Sequence, residues 1–145
     1  VAHMTEVLGV SPTHTVLEVG TGSGYQAAVL GMLARDVYTI EIVSELATRA
    51  AATLEELGHD NVHVRDGDGY AGWPEHAPFD RIMVTAAPDE IPQPLLDQLA
   101  PGGRLVAPVG PQGAAQWMTV VDKTDRGLAE RRTIPVQFVP FTRRP

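Results

Sequence analysis

A glycine-rich turn is the first part of the sequence whose residue types and spacing could do chemistry. In the run "VLEVGTGSGY", strand-like residues lead into a turn in which glycines and small hydroxyl residues alternate: Gly20, Thr21, Gly22, Ser23 and Gly24. Glycine tolerates positive φ angles and lets the backbone approach a ligand closely. Glu18 precedes the turn by two residues, and its carboxylate would attract a positively charged group. The turn and Glu18 together predict a binding site for a small molecule.

The spacing of the glycines separates two classes of ligand. Dinucleotide-binding turns have the pattern G-x-G-x-x-G, whose third glycine lets the helix pack closely on the strand. Here the third glycine comes one position earlier, and Tyr25 occupies the dinucleotide position. The alternating pattern G-x-G-x-G is typical of methyltransferases that use S-adenosylmethionine, whose sulfonium and ammonium groups suit Glu18 better than a pyrophosphate would. A plain strand-to-helix turn that binds nothing is the alternative.

Two acidic positions further along the chain support the same ligand. Glu41 ends the second predicted strand, about 20 residues after the first glycine, where an acidic side chain can accept hydrogen bonds from both ribose hydroxyls. Asp68 follows the third strand in "RDGDGY" and could accept a hydrogen bond from the adenine amino group, while the N–H of Gly69 could reach a ring nitrogen. Taken separately, Glu41 could be a solvated carboxylate and Asp68 part of a tight surface turn. In this order after successive strands, they predict that S-adenosylmethionine binds here and leaves as S-adenosylhomocysteine.

Strand-like and helical patterns alternate along the chain and must position these residues. We predict parallel strands over 15–20, 37–42, 61–66, 79–87 and 103–110. We predict helices over 1–10, 24–35, 44–58 and 92–100, and antiparallel edge strands over 116–124 and 128–141. Ser44 is a candidate N-cap and Gly58 a candidate helix stop. The alternation predicts a single α/β domain over 1–145, with a doubly wound, mostly parallel sheet and helices on both faces, as in Rossmann-like class I methyltransferases.

Composition argues against several functions. The 145 residues carry a net charge of −7 and no basic cluster beyond two arginine pairs, which disfavours nucleic acid as a partner. No apolar run approaches the roughly 20 residues of a membrane span, so we expect no membrane partner. The chain has no cysteine, which fits a reducing compartment, so we expect a cytoplasmic protein. We also expect a monomer. None of the five histidines lies in a metal-ligand pattern, so we expect no metal.

The segment after the fourth strand bears on the group that accepts the methyl. Enzymes that methylate amino groups of nucleic acids often carry Asn/Asp-Pro-Pro-Tyr/Phe there, whereas this chain has "TAAPDEIP". An amine or hydroxyl acceptor often needs a general base, but a carboxylate is already ionised at pH 7 and needs none. The sequence shows no acid–base constellation, so we assign no catalytic residue. This weakly favours a carboxylate acceptor.

Nearly the whole chain is covered by segments that resemble one known family. They are "VLEVGTGSGYQAAVL", "RDGDGYAGWPEHAPFDRIMVTAAPDEIPQPLLDQLAPGGRLVAPVG" and "VQFVPF". Together they closely resemble the protein-L-isoaspartate O-methyltransferase family. The resemblance implies methyl transfer from S-adenosylmethionine to the α-carboxyl group of isoaspartyl residues in damaged proteins or peptides, a step of protein repair. It also implies that the Gly20 region, Glu41, Asp68 and Gly69 hold the cofactor, and that residues 86–88 and 136–142 line the peptide site or the cofactor's edge.

One departure from the family pattern concerns the start of the chain. Family members carry a segment of the type Gly-Gln-Thr-Ile-Ser-x-Pro shortly before the helix that matches "VAHMTEVLGV", and its serine is held to be the active-site residue. We therefore expect a chain truncated at its N-terminus. Two alternatives to the repair enzyme stay open: a fragment that binds the cofactor without transferring the methyl group, and a related peptide methyltransferase that esterifies aspartate.

Overall fold

Seven strands form the framework of residues 2–145, the part of the chain that the computed structural model describes. The strands are β1 (Thr15–Val19), β2 (Asp36–Glu41), β3 (Val62–Asp66), β4 (Phe79–Val84), β5 (Leu99–Val109), β6 (Gln116–Thr124) and β7 (Gly127–Val136). They make one sheet in the order β3-β2-β1-β4-β5-β6-β7. The first five run parallel, and β6 and β7 pair antiparallel at one edge. The predicted fold class is confirmed.

Helices cover both faces of the sheet. They are α1 (Ala2–Leu8), α2 (Tyr25–Leu33), α3 (Ser44–Glu56) and α4 (Gln93–Asp97), with two short 3₁₀ turns at Gly69–Ala71 and Pro74–His76. Leu8 of α1 and Leu30 of α2 pack with Met83 in one buried cluster. Leu95 of α4 belongs to a second cluster, with Leu17 of β1. Because the strands alternate their side chains between these two clusters, most side chains of the central strands are apolar on both faces, and Glu18 of β1 is a buried exception. None of the described helices is long and apolar enough to span a membrane.

Several element boundaries differ from the sequence-based predictions, most clearly around α4 and at the end of the last strand. The helix predicted to reach residue 100 ends at Asp97, and β5 begins at Leu99 because that residue pairs with Phe79 of β4. The last strand ends at Val136 rather than at residue 141. There the buried Gln116 accepts the N–H of Phe138 through its side-chain oxygen at 2.7 Å, which takes the backbone out of the ladder. The residues that follow leave the sheet edge and cross towards β4.

The start of α3 also differs from the prediction, and the difference involves a candidate site residue. Ser44 is the first helical residue rather than the N-cap, and Val43 precedes it with no side-chain cap of its own. Instead, the Oε2 atom of Glu41 accepts the N–H of Val43 at 3.0 Å. Gly58 lies just beyond the end of the helix with φ +79°, as the stop signal predicts.

The order of the strands fixes where a ligand can bind. The chain runs outward from β1 through β2 to β3 and then returns to place β4 on the other side of β1. At such a switch point the loops after the two central strands diverge and leave a crevice at the carboxyl ends of the strands. The glycine turn that follows β1 lies at this crevice.

Candidate functional site

A cavity of about 410 Å³ lies at the switch point. Its walls come from the ends of β1, β2 and β4, from Gly69 after β3, and from residues 139–142 of the C-terminal tail. Most of the lining is apolar, and Glu41 is the one charged residue among the described residues that line it. The cavity therefore suits a largely apolar ligand that offers a few hydrogen-bond donors, and it offers no basic side chain to a phosphate.

The glycine turn has the backbone conformation that its sequence predicts. The backbone φ angles are +101° at Gly20, +54° at Gly22 and +90° at Gly24, values that residues other than glycine rarely adopt. A Cβ atom on Gly20 would collide with the hydroxyl of Thr85, which donates a hydrogen bond to the Gly20 carbonyl at 2.7 Å. By contrast, Gly22 has open space around it and lines the cavity. Glycine is thus needed for packing at residue 20 and for backbone shape at residue 22.

Glu41 joins the glycine turn to the start of α3. Only 7% of the residue is exposed, and its Oε1 atom accepts the N–H of Gly22 at 2.8 Å while Oε2 accepts the N–H of Val43. Each carboxylate oxygen can accept a further hydrogen bond. The prediction that Glu41 lies beside a ligand at the end of β2 agrees with this position, because the residue lines the cavity.

Asp68 and Gly69 take different positions relative to the cavity. Gly69 is buried and lines it, whereas Asp68 caps the 3₁₀ turn by accepting the N–H of Tyr70 at 3.0 Å. Burial works to raise the pKa of Asp68, but hydrogen bonds from Tyr70, Arg143 and Arg144 outweigh it, so the pKa lies below its usual value. Asp68 is accordingly a charged acceptor at the rim of the site.

The remaining predicted residues lie beneath or beside the cavity rather than in its wall. Glu18 and Thr21 are buried under the turn, where both are hydrogen-bonded to Thr39. Burial raises the pKa of Glu18 to about 8; the hydrogen bond from Thr39 works against this rise and the nearby Glu41 adds to it. Ser23 is exposed and accepts the N–H of Tyr25. Gly24 is buried beside α3, where a Cβ atom would lie 3.4 Å from Ala50.

Two arginines of the C-terminal tail contact the acidic residues at the end of β3 and after it, and the sequence analysis missed these contacts. The Nε atom of Arg143 donates to Asp68 at 2.9 Å, and its guanidinium lies 3.8 Å from the centre of the Tyr70 ring. Arg144 pairs with Asp66 and donates to the carbonyl of Ile42. The available signal was charge alone: a basic pair at the end of the chain and an acidic run at residues 66–68.

A second cavity, of about 590 Å³, adjoins the first. Pro140 and Phe141 line both cavities, and the tail is fixed there because Ala87 donates to Val139 and accepts from Phe141. Of the 86–88 segment, Ala86 lines the first cavity, while Ala87 and Pro88 line the second. The second cavity is the more polar of the two, with Asp89, Glu90 and Arg143 among its lining residues.

Comparison with known proteins assigns the chain to a family. The family model described as "Protein-L-isoaspartate(D-aspartate) O-methyltransferase (PCMT)" matches residues 1–145. The chain belongs to this family. A protein-L-isoaspartate O-methyltransferase of Gloeobacter violaceus is 62% identical over 143 residues, which are 99% of this chain and 70% of that protein. Protein-L-isoaspartate O-methyltransferase 2 of Syntrophobacter fumaroxidans is 58% identical, over 98% of this chain and 58% of that protein. The chain thus spans 70% and 58% of the length of these two relatives.

Solved structures of the isoaspartate methyltransferase family share the fold. One protein-L-isoaspartate O-methyltransferase superposes with a TM-score of 0.89 at 33% identity, over 96% of this chain and 45% of that one. A Plasmodium falciparum protein, provisionally described as a member of the same family, was solved in complex with S-adenosyl-L-homocysteine. It superposes with a TM-score of 0.77 at 25% identity, over 97% of this chain and 70% of that one.

Proposed function

We propose that this protein transfers a methyl group from S-adenosylmethionine to the free carboxyl group of isoaspartyl residues in damaged proteins. The observation that carries the proposal is the cavity at the glycine turn, where Glu41 is the one charged lining residue within residues 2–145, in a chain of the isoaspartate methyltransferase family. A site without lysine or arginine in its lining suits a ligand without phosphates. It also suits a ligand that carries a positive charge.

The residues present fit the parts of this cofactor. We assign the two ribose hydroxyls to Glu41, because both of its oxygens are fixed by backbone N–H groups and keep accepting capacity. We assign the adenine ring to the space between apolar side chains such as Ile42 and Phe141, with Gly69 at its polar edge and Asp68, the cap of the turn that starts at Gly69, next to it. The open space beside Gly22 suits the amino acid end of the molecule. We propose the other predicted residues, Glu18, Thr21, Ser23 and Gly24, as supports of the turn.

The chemistry required of the protein is mainly binding and orientation. The bound cofactor supplies a methyl group activated by the positive sulfur. The accepting carboxylate is ionised at pH 7 and needs no general base. The protein's contribution is to hold donor and acceptor in line and to exclude water, which Val139, Pro140 and Phe141 do by forming one wall of the cavity.

The second cavity is our candidate for the site of the damaged peptide. It adjoins the cofactor cavity through Pro140 and Phe141, so a peptide bound there could present a carboxylate to the methyl group. Its lining mixes Tyr70, Ile91 and Gln93 with charged groups, so it offers both apolar and polar contacts to a polypeptide. This assignment agrees with the position of residues 86–88 between the two cavities.

The proposed function is tested by methyl incorporation into matched peptides. The protein is incubated with S-adenosylmethionine carrying a labelled methyl group and with a peptide that contains isoaspartate or aspartate at the same position. Base-labile label in the isoaspartyl peptide alone supports repair. Equal labelling of both peptides indicates the related aspartate-esterifying activity, and cofactor binding without label in either indicates a form that does not transfer the group.

We further infer that residues 1–145 act as one methyltransferase domain, as a monomer in the cytoplasm and without nucleic acid. The inference is supported by the single sheet, the match of the family model over the whole chain, the net charge of −7 and the absence of cysteine. Light scattering on a size-exclusion column tests the oligomeric state, and cell fractionation tests the location. A mobility shift of labelled DNA or RNA in the presence of the protein would contradict the inference that it acts without nucleic acid.

A further inference from the structure

Glu18 is a buried carboxyl group, and the packing of the core does not explain why a glutamate occupies this position. It is 0% exposed, and its Oε2 atom has no hydrogen-bond partner among residues 2–145. Its neighbours in the register are Thr39 of β2 and Met83 of β4. An unpartnered polar atom in the interior costs stability. A leucine or valine at this position would avoid that cost, so Glu18 requires an explanation beyond the fold.

Two hydrogen bonds connect Glu18 to the glycine turn. The hydroxyl of Thr39 donates to Oε1 of Glu18 at 2.7 Å. Because that uses the single proton of Thr39, the hydroxyl of Thr21, at 2.6 Å, donates to Thr39. Thr21 in turn shapes the ligand-binding turn, since its carbonyl accepts the N–H of Gly24. When Glu18 is neutral, its carboxyl group can donate to Thr39, and Thr39 can donate to Thr21. Both hydrogen bonds therefore persist in the reverse direction when the charge of Glu18 changes.

Described residues supply no positive charge to Glu18. The charge of Glu41 acts on Glu18, but Glu41 is itself negative and raises the pKa of Glu18 further. Helix α2 contains no charged residue, and on α1 the ring of His3 is bonded to Thr133 while Glu6 is exposed. The charged residues of β4, Asp80 and Arg81, lie at its opposite end, where Asp80 accepts the N–H of Thr15. With its pKa raised to about 8, Glu18 is mostly neutral at pH 7 in the free protein.

We propose that Glu18 is a positioning residue that senses the charge of the bound cofactor: it holds the glycine turn through Thr39 and Thr21, and it gives up its proton when a sulfonium enters the cavity. The inference rests on the proposed function, which supplies the cofactor. The proton passes to solvent, and no bond to the ligand forms or breaks. Because S-adenosylhomocysteine lacks the sulfonium charge, Glu18 would favour the methyl donor over the spent product and so help the product to leave.

Calorimetry in buffers of different ionisation enthalpy tests the inference. At pH 7 we expect binding of S-adenosylmethionine to release more protons, up to about one, than binding of S-adenosylhomocysteine. The sulfonium also lowers the pKa of the α-amino group of S-adenosylmethionine, so the contribution of Glu18 is the part of the difference that is lost in Glu18→Gln. The affinity ratio of the two ligands should rise with pH between 6 and 8, by at most about tenfold per unit. Glu18→Gln should reduce the difference in proton release by up to about one proton, and Glu6→Gln, which removes an exposed carboxyl group, should leave the difference unchanged.

A second variant separates the hydrogen-bond connection from the charge. Thr39→Val should lower the affinity for both ligands by the same factor and leave the difference in proton release unchanged. Equal proton release with both ligands in the parent protein would overturn the charge-sensing role, even if Glu18→Gln failed to fold. Unchanged affinities in Thr39→Val would overturn the positioning role. If neither ligand binds, the proposed function itself is contradicted, which is a different result from binding without a proton difference.

Discussion

Arg143 and Asp68 form an ion pair that joins the C-terminal tail to the rim of the cofactor cavity, with 2.9 Å between Nε and Oδ2. The backbone N–H of Arg144 also donates to this oxygen, at 3.2 Å. We propose Asp68 as the acceptor of the adenine amino group, and on that proposal the tail and the ligand would compete for the same carboxylate. The tail would then have to release the carboxylate, or share it, when the cofactor binds.

The first prediction follows from this competition. Arg143→Ala should strengthen binding of S-adenosylhomocysteine, by up to about fivefold, because an exposed ion pair contributes at most about 1 kcal/mol. Raising the salt concentration should also strengthen binding of S-adenosylhomocysteine to the parent, because salt screens the ion pair. Arg126→Ala, in the turn between β6 and β7, is the matched control and should change nothing. Weaker binding in Arg143→Ala would instead show that the arginine helps to close the site over the ligand.

A second prediction concerns Glu41, which anchors both the turn and the proposed ribose contacts. Glu41→Ala should weaken cofactor binding by about ten- to a hundredfold, because a hydrogen bond to a charged group contributes roughly 1.5–3 kcal/mol. The thermal midpoint should also fall slightly, since the N–H of Val43 loses its acceptor. Glu45→Ala, which removes an exposed carboxylate from the first turn of α3, is the control. Parent-like affinity in Glu41→Ala would place the ribose elsewhere.

The fold was predictable from the sequence because its signals are local. Apolar strands such as β4 alternate with helical patterns, and this alternation alone implies a parallel sheet. The glycine pattern and the acid at the end of β2 were likewise sufficient to place Gly20, Gly22 and Glu41 at one crevice. Each of these inferences depends on neighbours in sequence or on the fixed geometry of a parallel sheet.

The contribution of the tail and the role of Glu18 were not predictable in the same way. Arg143 reaches Asp68 across 75 positions, and no periodicity in the sequence encodes such a contact. Glu18 was expected beside the ligand, but strand alternation turns its side chain under the turn, towards Thr39. The end of the last strand at Val136 depends on one hydrogen bond, which the N–H of Phe138 donates to the side-chain oxygen of Gln116 and which likewise has no local signature.

A third prediction separates backbone strain from ligand binding at a glycine. Gly22 and Gly58 both have positive φ angles, and a Cβ atom would meet no neighbour at either position. Alanine at each position should therefore cost about 1 kcal/mol of unfolding free energy through the strained backbone alone. Gly22→Ala should in addition weaken cofactor binding, because Gly22 lines the cavity, whereas Gly58→Ala should bind like the parent. Similar affinities in the two variants would remove the glycine turn from the site.

The last prediction concerns stability and pH, and it needs no ligand. Glu18 has a usual pKa of 4.5, which burial raises to about 8 in the folded protein. Below pH 4.5 both the folded and the unfolded states hold the proton, so Glu18 contributes no pH dependence there. Between about pH 4.5 and 8 the unfolded state has lost the proton while the folded state keeps it, so raising the pH favours unfolding.

Denaturant titrations of the parent and Glu18→Gln across this range check the sign. The unfolding free energy of the parent should fall relative to the variant as the pH rises, by at most about 1.4 kcal/mol per pH unit, and the difference should level off above pH 8. All other carboxyl groups are common to the two proteins, so their contributions cancel. Glu6→Gln should run parallel to the parent, because Glu6 is exposed. A difference that is constant with pH would mean that Glu18 is ionised throughout, with the glutamine acting only through packing.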